Sequence, residues 1–335
     1  MSSQDLPLVS MVLPVFNEEK EIRNALAELG KQTYSNSEII VVDDGSSDKT
    51  CEIAGEVGNS LKNFRVIRTK HRGPSSARNE GTKESKGDIV FFGECDCVYD
   101  ADYLDKAVVA LKKNPEAGAV CLTGGPLNLK STLATDCIEL ENKLQHKLLE
   151  EGKIKPFYAW VFRREALEKT GGFDERLFQA EDKDLFRRVT EAGYKIAWVP
   201  GINWRHKRSE TLSELSRKWF ARGRTRVLYS LKHGLVTDLA KTLFPLWVFA
   251  LGVLLLLYSP LVGGMLILLV LLLFLGQSLR IVLYVRPDSD LAKLVFIYPV
   301  FLIARNFSSG LGYSYGLLRY LGLRIQGVEI TYDKV

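Results

Sequence analysis

The chain has 335 residues, with 45 lysines and arginines against 40 aspartates and glutamates, and 46% of it is hydrophobic. That length holds two domains of average size, and the last third is too apolar for both to share one solvent. A net charge of +5 without an aromatic-basic module suits an anionic lipid surface and excludes nucleic acid as the expected partner. The five cysteines, Cys51, Cys95, Cys97, Cys121 and Cys137, make no disulfide framework, as expected in a reducing compartment. Cys95-x-Cys97 alone is weak as a metal site.

The chain shows no charged segment followed by an apolar signal stretch; Leu8 to Val15 reads instead as a strand, so the N-terminal domain is expected to stay unexported. Residues 8–15, 38–43, 64–68 and 88–92 are short β-branched or aromatic runs, and helical patterns with polar faces fill the gaps. This alternation predicts an α/β domain with a parallel sheet covered by helices on both faces. In such sheets ligands bind beyond the carboxyl ends of the strands. Here those ends carry Pro14 to Glu18, Asp43-Asp44 and Glu94 to Asp96. No G-x-G-x-x-G follows the first strand and no G-x-x-x-x-G-K occurs, which removes the dinucleotide-binding and P-loop readings.

Glu94-Cys95-Asp96 follows the fourth run, and on an extended segment residues two apart project the same way, so both carboxylates can address one hard cation. As a bare acid-x-acid it also fits a solvated turn. A fifth strand is expected at 119–123, a helix over 133–150, and a mixed segment to about Pro200. Glu181 and Asp182 open a helical pattern running through Arg188, where acids favour the helix start. From Ser209 to His233, Leu212, Leu215 and Trp219 fall at helical spacing with basic residues opposite. That fits a helix on a membrane surface or one packed on the soluble domain.

From Thr242 to Leu279 there is no charged side chain, far more than one crossing of a core of about 30 Å requires. The break falls at Tyr258-Ser259-Pro260, giving expected spans near 242–259 and 261–285. Arg217, Lys218, Arg222, Arg224, Arg226, Lys232 and Lys241 precede the pair, and Arg280, Arg286 and Lys293 follow its apolar run, so both flanks are expected on the cytoplasmic side. A third apolar stretch at 294–318 carries Arg305 at its middle and Gly310, Gly312 and Gly316 after it, which are expected to weaken it as a helix. A third span and a re-entrant or interfacial segment both fit, and Arg319 and Arg324 lean toward the second. The expected division is 1–208 catalytic, 209–241 amphipathic and juxtamembrane, and 242–335 membrane region.

Three blocks resemble family-2 glycosyltransferases: Val12-Leu13-Pro14-Val15-Phe16-Asn17-Glu18, Val41-Val42-Asp43-Asp44-Gly45-Ser46-Ser47-Asp48, and Ala77-Arg78-Asn79-x-Gly81. Gly171-Gly172-Phe173-Asp174-Glu175 with Glu181-Asp182-x-Asp184-Leu185-x-x-Arg188 is similar to the family's acceptor-side signature. The resemblance covers roughly the first 230 residues and implies a GT-A, Rossmann-like nucleotide-diphospho-sugar transferase fold. It also implies an inverting transfer from a UDP- or GDP-sugar, aided by Mg²⁺ or Mn²⁺. By that resemblance Pro14, Phe16, Glu18 and Cys95 border the nucleotide pocket, Asp44 contacts the base or ribose, and Arg72 and Arg78 lie near the diphosphate. Asp96 is the expected direct metal ligand, with Glu94 ligating directly or through water and His206 near the metal or diphosphate.

The family usually has Asp-x-Asp, so Glu94 is a departure, and Tyr158-Ala159-Trp160 departs where relatives carry small or amide residues. Asp182, beside Glu181, is the expected base that deprotonates an acceptor hydroxyl. One displacement with one base inverts the anomeric centre. The expected acceptor is a lipid-linked saccharide or glycan at the cytoplasmic face of a multi-pass membrane protein. A polyprenyl-phosphate sugar synthase is the runner-up, and an inactive membrane scaffold is the alternative from another class. A processive polysaccharide synthase is disfavoured because Arg217-Lys218-Trp219-Phe220 is not Q-x-x-R-W.

Overall fold

The computed structural model describes residues 6–127, 131–156, 158–177, 180–207, 211–234, 236–286 and 291–326. Arg208, the 208/209 boundary and residues 327–335, all parts of the expected division, lie outside the described residues. The chain forms two compact units, residues 1–127 with 149–207, and residues 128–148 with 208–335.

The first unit is built on one eight-stranded sheet in the order β3-β2-β1-β4-β7-β6-β8-β5. Its parallel half comprises β1 (Val9–Val15), β2 (Ser37–Asp43), β3 (Phe64–Arg68) and β4 (Ile89–Phe92). Side chains alternate across these strands, and so does the core. Val9, Met11, Leu13, Ile39, Val41, Ile89 and Phe91 face α1 (Ile22–Gly30), α2 (Thr50–Gly58) and α4 (Tyr103–Lys113), which supply Leu26, Ala54 and Leu104 to the same cluster. Val12, Ile40, Val42, Val90 and Phe92 face the other way, toward Ala77 of α3 (Pro74–Glu84), Leu167 of α6 (Arg164–Thr170) and Leu185 of α7 (Glu181–Glu191).

The sheet is mixed rather than wholly parallel. β7 (Val161–Arg163) pairs antiparallel with β4 and with β6 (Ala117–Leu127), and β5 (Cys97–Tyr99) pairs antiparallel with β8 (Lys195–Lys207). Strands of three residues carry too few positions to show a period of two, which is why β5 and β7 are not visible as runs.

The second unit packs α5 (Leu133–Glu150), whose last residues belong to the first unit, with α8 (Leu212–Lys232), α9 (Val236–Leu255), α10 (Pro260–Val285) and α11 (Leu291–Ile325). Trp219, Phe274, Tyr298, Phe301 and Leu302 lie at its core. Two helices, Pro260–Val285 and Lys293–Ile325, are long and apolar enough to cross a membrane. The apolar part of α9, Leu243–Leu255, rises only about 20 Å, short of a hydrocarbon core of about 30 Å. The expected span over 242–259 begins within α9 and runs through the turn before Pro260, the first residue of α10.

The third apolar segment is one continuous helix, where Gly310, Gly312 and Gly316 were expected to weaken it. Two of these glycines serve contact instead: a Cβ at Gly312 or Gly316 would collide with the α8 backbone at Phe220 or Arg224. Arg305, a costly charge in an apolar helix, is paired with Glu141 of α5, which also accepts from the Tyr298 hydroxyl at 3.2 Å.

Candidate active site

Every strand of the parallel half ends in a loop that contributes a polar group, and hydrogen bonds knit these loops together. After β1, Asn17 takes a positive φ of 55° and its Oδ1 accepts from the Ser47 amide at 2.8 Å, tying the first loop to the second. The Glu18 amide donates to Thr50 Oγ1 at 2.7 Å. Burial, then the negative charges of Asp96, Glu21 and Asp48, push the Glu18 carboxyl above its usual range. Glu18 thus belongs electrostatically with the acids of the fourth loop.

Asp44, beyond β2, is buried and accepts the backbone amides of Arg72 at 2.9 Å and Gly73 at 2.8 Å. His71 Nδ1 lies 2.9 Å from the Oδ2 that also accepts the Gly73 amide. A carboxylate has about four lone-pair sites, so most of its capacity holds the turn after β3 in place. That turn presents the His71 ring stacked on Phe16, with centroids 4.0 Å apart and planes at 19°. Phe16 remains 42% exposed, an aromatic surface at the mouth of the strand ends. His71 escaped the sequence reading, although its place beside Arg72 is the signal that could have found it. Pro14 is part of β1, two residues before Phe16.

The two arginines expected near a diphosphate part company. Arg72 stays exposed, with Nη1 4.0 Å from Glu175 Oε2. Arg78 is enclosed, its side chain 5% exposed and its guanidinium lying 5.1 Å from the Trp160 ring centroid and 5.3 Å from that of Phe173. Its Nη1 bonds Glu181 Oε1 at 3.0 Å and its Nη2 lies 3.8 Å from Glu94 Oε1. Arg78 therefore links the acid-x-acid loop to the first residue of α7. Asn79, its neighbour, clamps the glycine loop in both directions: Nδ2 donates to Phe173 O at 2.9 Å, and the Phe173 amide donates to Oδ1 at 2.8 Å.

Glu181 and Asp182 open α7 after Ala180, whose left-handed φ of 62° is costly for a residue with a Cβ. Strain of this kind collects at functional sites. Burial raises the Glu181 carboxyl from 4.5 to about 7 against the pull of Arg78, with the charge of Asp182 adding to the rise. Asp182 Oδ1 accepts the Lys183 amide at 2.8 Å, so it also serves the helix start. Asp184 is fully buried and binds Arg188, which donates on to the carbonyls of Thr170 and Gly172; this part of the signature holds the loop in shape.

Glu94, Asp96, Cys97 and His206 offer four potential ligand atoms that all lie within 4.8 Å of one another. The acid-x-acid is a turn entering β5 rather than an extended segment, with the Cys97 amide donating to the Glu94 carbonyl at 3.4 Å. His206 Nε2 lies 3.1 Å from Asp96 Oδ2, and its buried Nδ1 has no hydrogen-bond partner among the described residues. Two carboxylates and an imidazole fit a divalent cation such as Mn²⁺. Cys97 was not among the expected site residues. Cys95 is half-buried, its thiol pushed up first by burial and then by Glu18, Asp96 and Glu94.

Residues 10–171 match the model of glycosyl transferase family 2. The probable glycosyltransferase YdaM of Bacillus subtilis (strain 168) is 34% identical over 221 residues, 60% of this chain and 51% of that protein. Glycosyltransferase AglE of Haloferax volcanii is 28% identical over 229 residues, 66% of this chain and 74% of that protein. The chain thus spans about half the length of YdaM and about three quarters of AglE. Among solved structures, the mannosyltransferase PcManGT from Pyrobaculum calidifontis, in complex with GDP-Man and Mn²⁺, superposes with a TM-score of 0.57 at 16% identity, covering 93% of this chain and 87% of that one. That likeness bears on the fold, a mixed α/β sheet of the GT-A kind. Residues 10–171, just under half of the chain, are thus similar to glycosyl transferase family 2, within a mixed α/β fold of the GT-A kind.

Proposed function

We propose that the chain transfers a sugar, with inversion, from a UDP- or GDP-sugar to a hydroxyl of a lipid-linked saccharide or glycan at the cytoplasmic membrane face. One observation carries this reading: Arg78 joins the cation-fitted group at Glu94, Asp96 and His206 to the Glu181-Asp182 start of α7. A donor side and an acceptor side thereby meet across one buried guanidinium.

Asp96, His206 and Glu94 would hold a divalent cation, which when bound would neutralise the charge growing on the departing diphosphate. Phe16 and His71 offer a stacked aromatic wall to the base, a wall that Asp44 fixes from behind. Pro14 and Glu18 complete the rim of the nucleotide pocket, beside Cys95. Exposed Arg72 reaches phosphate oxygens. Asp182 takes the proton from the acceptor hydroxyl as it attacks, and Glu181 orients the helix start through Arg78. An acceptor that is already an ionised phosphate would not need this base, so Asp182 favours a hydroxyl over a polyprenyl phosphate.

The apolar exposure around the α9–α10 turn, with Leu257 80% and Tyr258 82% exposed, supports a bilayer as the surroundings. The basic residues of α8 favour the cytoplasmic face, in a multi-pass arrangement. Confining enzyme and lipid-linked acceptor to one surface raises their effective concentration.

The test is a thermal-shift screen of UDP, GDP and their sugars with and without Mn²⁺ on the full chain in detergent. Binding to the folded state raises its stability by about 2.7 kcal/mol at a hundred times Kd. A nucleotide-specific, metal-dependent rise in Tm is expected. No rise with any nucleotide would end the transferase reading and favour a scaffold.

A further inference from the structure

We propose that Cys97 is a fourth ligand of the metal site, so that the site takes a thiophilic divalent cation, of the Co²⁺ or Zn²⁺ kind, in preference to Mg²⁺. The inference rests on the reading that the site holds a cation, and it adds what kind of cation the donor set selects.

The placement follows from the sheet. β5 and β8 are antiparallel neighbours with Cys97 directly opposite His206. Residues opposed in such a pair put their Cβ atoms about 5 Å apart on one face. Asp96 precedes Cys97 directly, and the turn from Glu94 brings the first acid back onto the same spot. Cys97 Sγ lies 3.5 Å from Glu94 Oε2 and 3.9 Å from Asp96 Oδ1, while His206 Nε2 lies 3.1 Å from Asp96 Oδ2. Ligands about 2.0 to 2.3 Å from a tetrahedral ion stand roughly 3.3 to 3.8 Å apart, so the 4.8 Å outer limit of this group closes with small side-chain rotations.

The chemistry of the four donors sets the preference. Two carboxylate oxygens suit Mg²⁺, Mn²⁺ and Zn²⁺ alike, but an imidazole nitrogen and a sulfur favour borderline and softer ions. Mg²⁺ also demands near-octahedral oxygen coordination and gives up its waters reluctantly. Cys97 is 3% exposed, so its sulfur is shielded from solvent and aimed among these partners. On ligation the S–H bond breaks, the Sγ–metal bond forms, and the proton leaves to water. The competing account is a small core residue that merely fills space between β5 and α4.

The experiment uses the full chain in detergent, stripped with EDTA and titrated with Co²⁺. We expect a sulfur-to-Co²⁺ charge-transfer absorption that saturates at one equivalent, disappears in Cys97→Ser and in Cys97→Ala, and persists in Cys95→Ser. Equimolar Zn²⁺ should bleach it, and a tenfold excess of Mg²⁺ should not. Co²⁺ bound through Asp96, shown by visible d–d bands lost in Asp96→Asn, without charge-transfer absorption in the wild-type protein overturns the inference. So does absorption that survives Cys97→Ser. Mn²⁺-dependent UDP or GDP binding alongside either negative result leaves the transferase reading standing and removes Cys97 alone. Failure of Co²⁺ to bind at all removes both the inference and the metal-assisted part of that reading.

Discussion

Replacing Arg78 with methionine tests the buried link between donor and acceptor sides, and its cost should depend on pH in a specific way. Breaking one side of a buried ion pair ordinarily costs about 3 to 5 kcal/mol, because the remaining charge is stranded. Glu181 has an escape, since its side chain is only 12% exposed and its carboxyl already sits near 7 with Arg78 present. Its folded value lies above its unfolded 4.5, so the folded state holds the extra proton and stability falls as pH rises from 4.5 to 7.

In the wild-type protein that fall ends near 7, where Glu181 ionises beside Arg78. Without Arg78 the carboxyl stays protonated in the folded state above 7 while the unfolded chain stays ionised, and the fall continues. Each pH unit then adds about 1.4 kcal/mol to the difference between variant and wild type. For a unit of this size that is about 3 to 6 °C in Tm per pH unit. Thermal unfolding of the full chain in detergent, followed by tryptophan fluorescence at pH 6, 7, 8 and 9, reads this directly. The double variant Arg78→Met/Glu181→Gln should show a difference that does not widen. A Tm gap for Arg78→Met that is the same at pH 6 and pH 9 would refute the stranded-carboxylate argument.

Asp182→Asn should lower transfer to a hydroxyl acceptor by about a hundredfold or more, the scale of a lost general base, while UDP or GDP binding by calorimetry stays within about twofold. Transfer at the wild-type rate removes Asp182 from the base role. Phe16→Ala takes away the partner stacked on His71 and should weaken nucleotide binding by about two- to twelvefold, the equivalent of about 0.5 to 1.5 kcal/mol; unchanged binding would place the base elsewhere. Gly172→Ala adds a Cβ 2.6 Å from Asn79 Oδ1 at a φ of +70°, and should destabilise by about 1 to 3 kcal/mol, seen as a lower Tm. An unchanged Tm would mean that the Asn79 clamp yields freely.

The parallel half of the sheet is legible because its strands are buried on both faces and read as short apolar runs ending in acids. Ile39 to Val42 is such a run, fully enclosed by helices on either side. The helix over Leu133–Glu150 is legible from its amphipathic period, but periodicity does not say which body a helix joins, and most of α5 belongs with α8 to α11. Cys97 was hidden for a similar reason. Its partnership with His206 exists only through the antiparallel pairing of β5 with β8, between residues far apart in the chain. Arg78 looks like surface on a polar helix, and only the convergence of Trp160, Phe173, Glu94 and Glu181 turns it into a buried cation.

Glu94 gains its meaning from the same convergence. Judged beside the family's usual Asp-x-Asp, the glutamate looks like a weakened ligand displaced by about one methylene. In place, the longer arm lets its two oxygens serve different neighbours, Oε1 lying 3.8 Å from Arg78 Nη2 and Oε2 3.5 Å from Cys97 Sγ. An aspartate with the same backbone would fall about 1.5 Å short of one or the other. The substitution therefore goes with the enclosed arginine and the neighbouring thiol. Glutamate at this position, cysteine at 97 and arginine buried under Trp160 form one connected set, and a change at any of the three alters the surroundings of the other two.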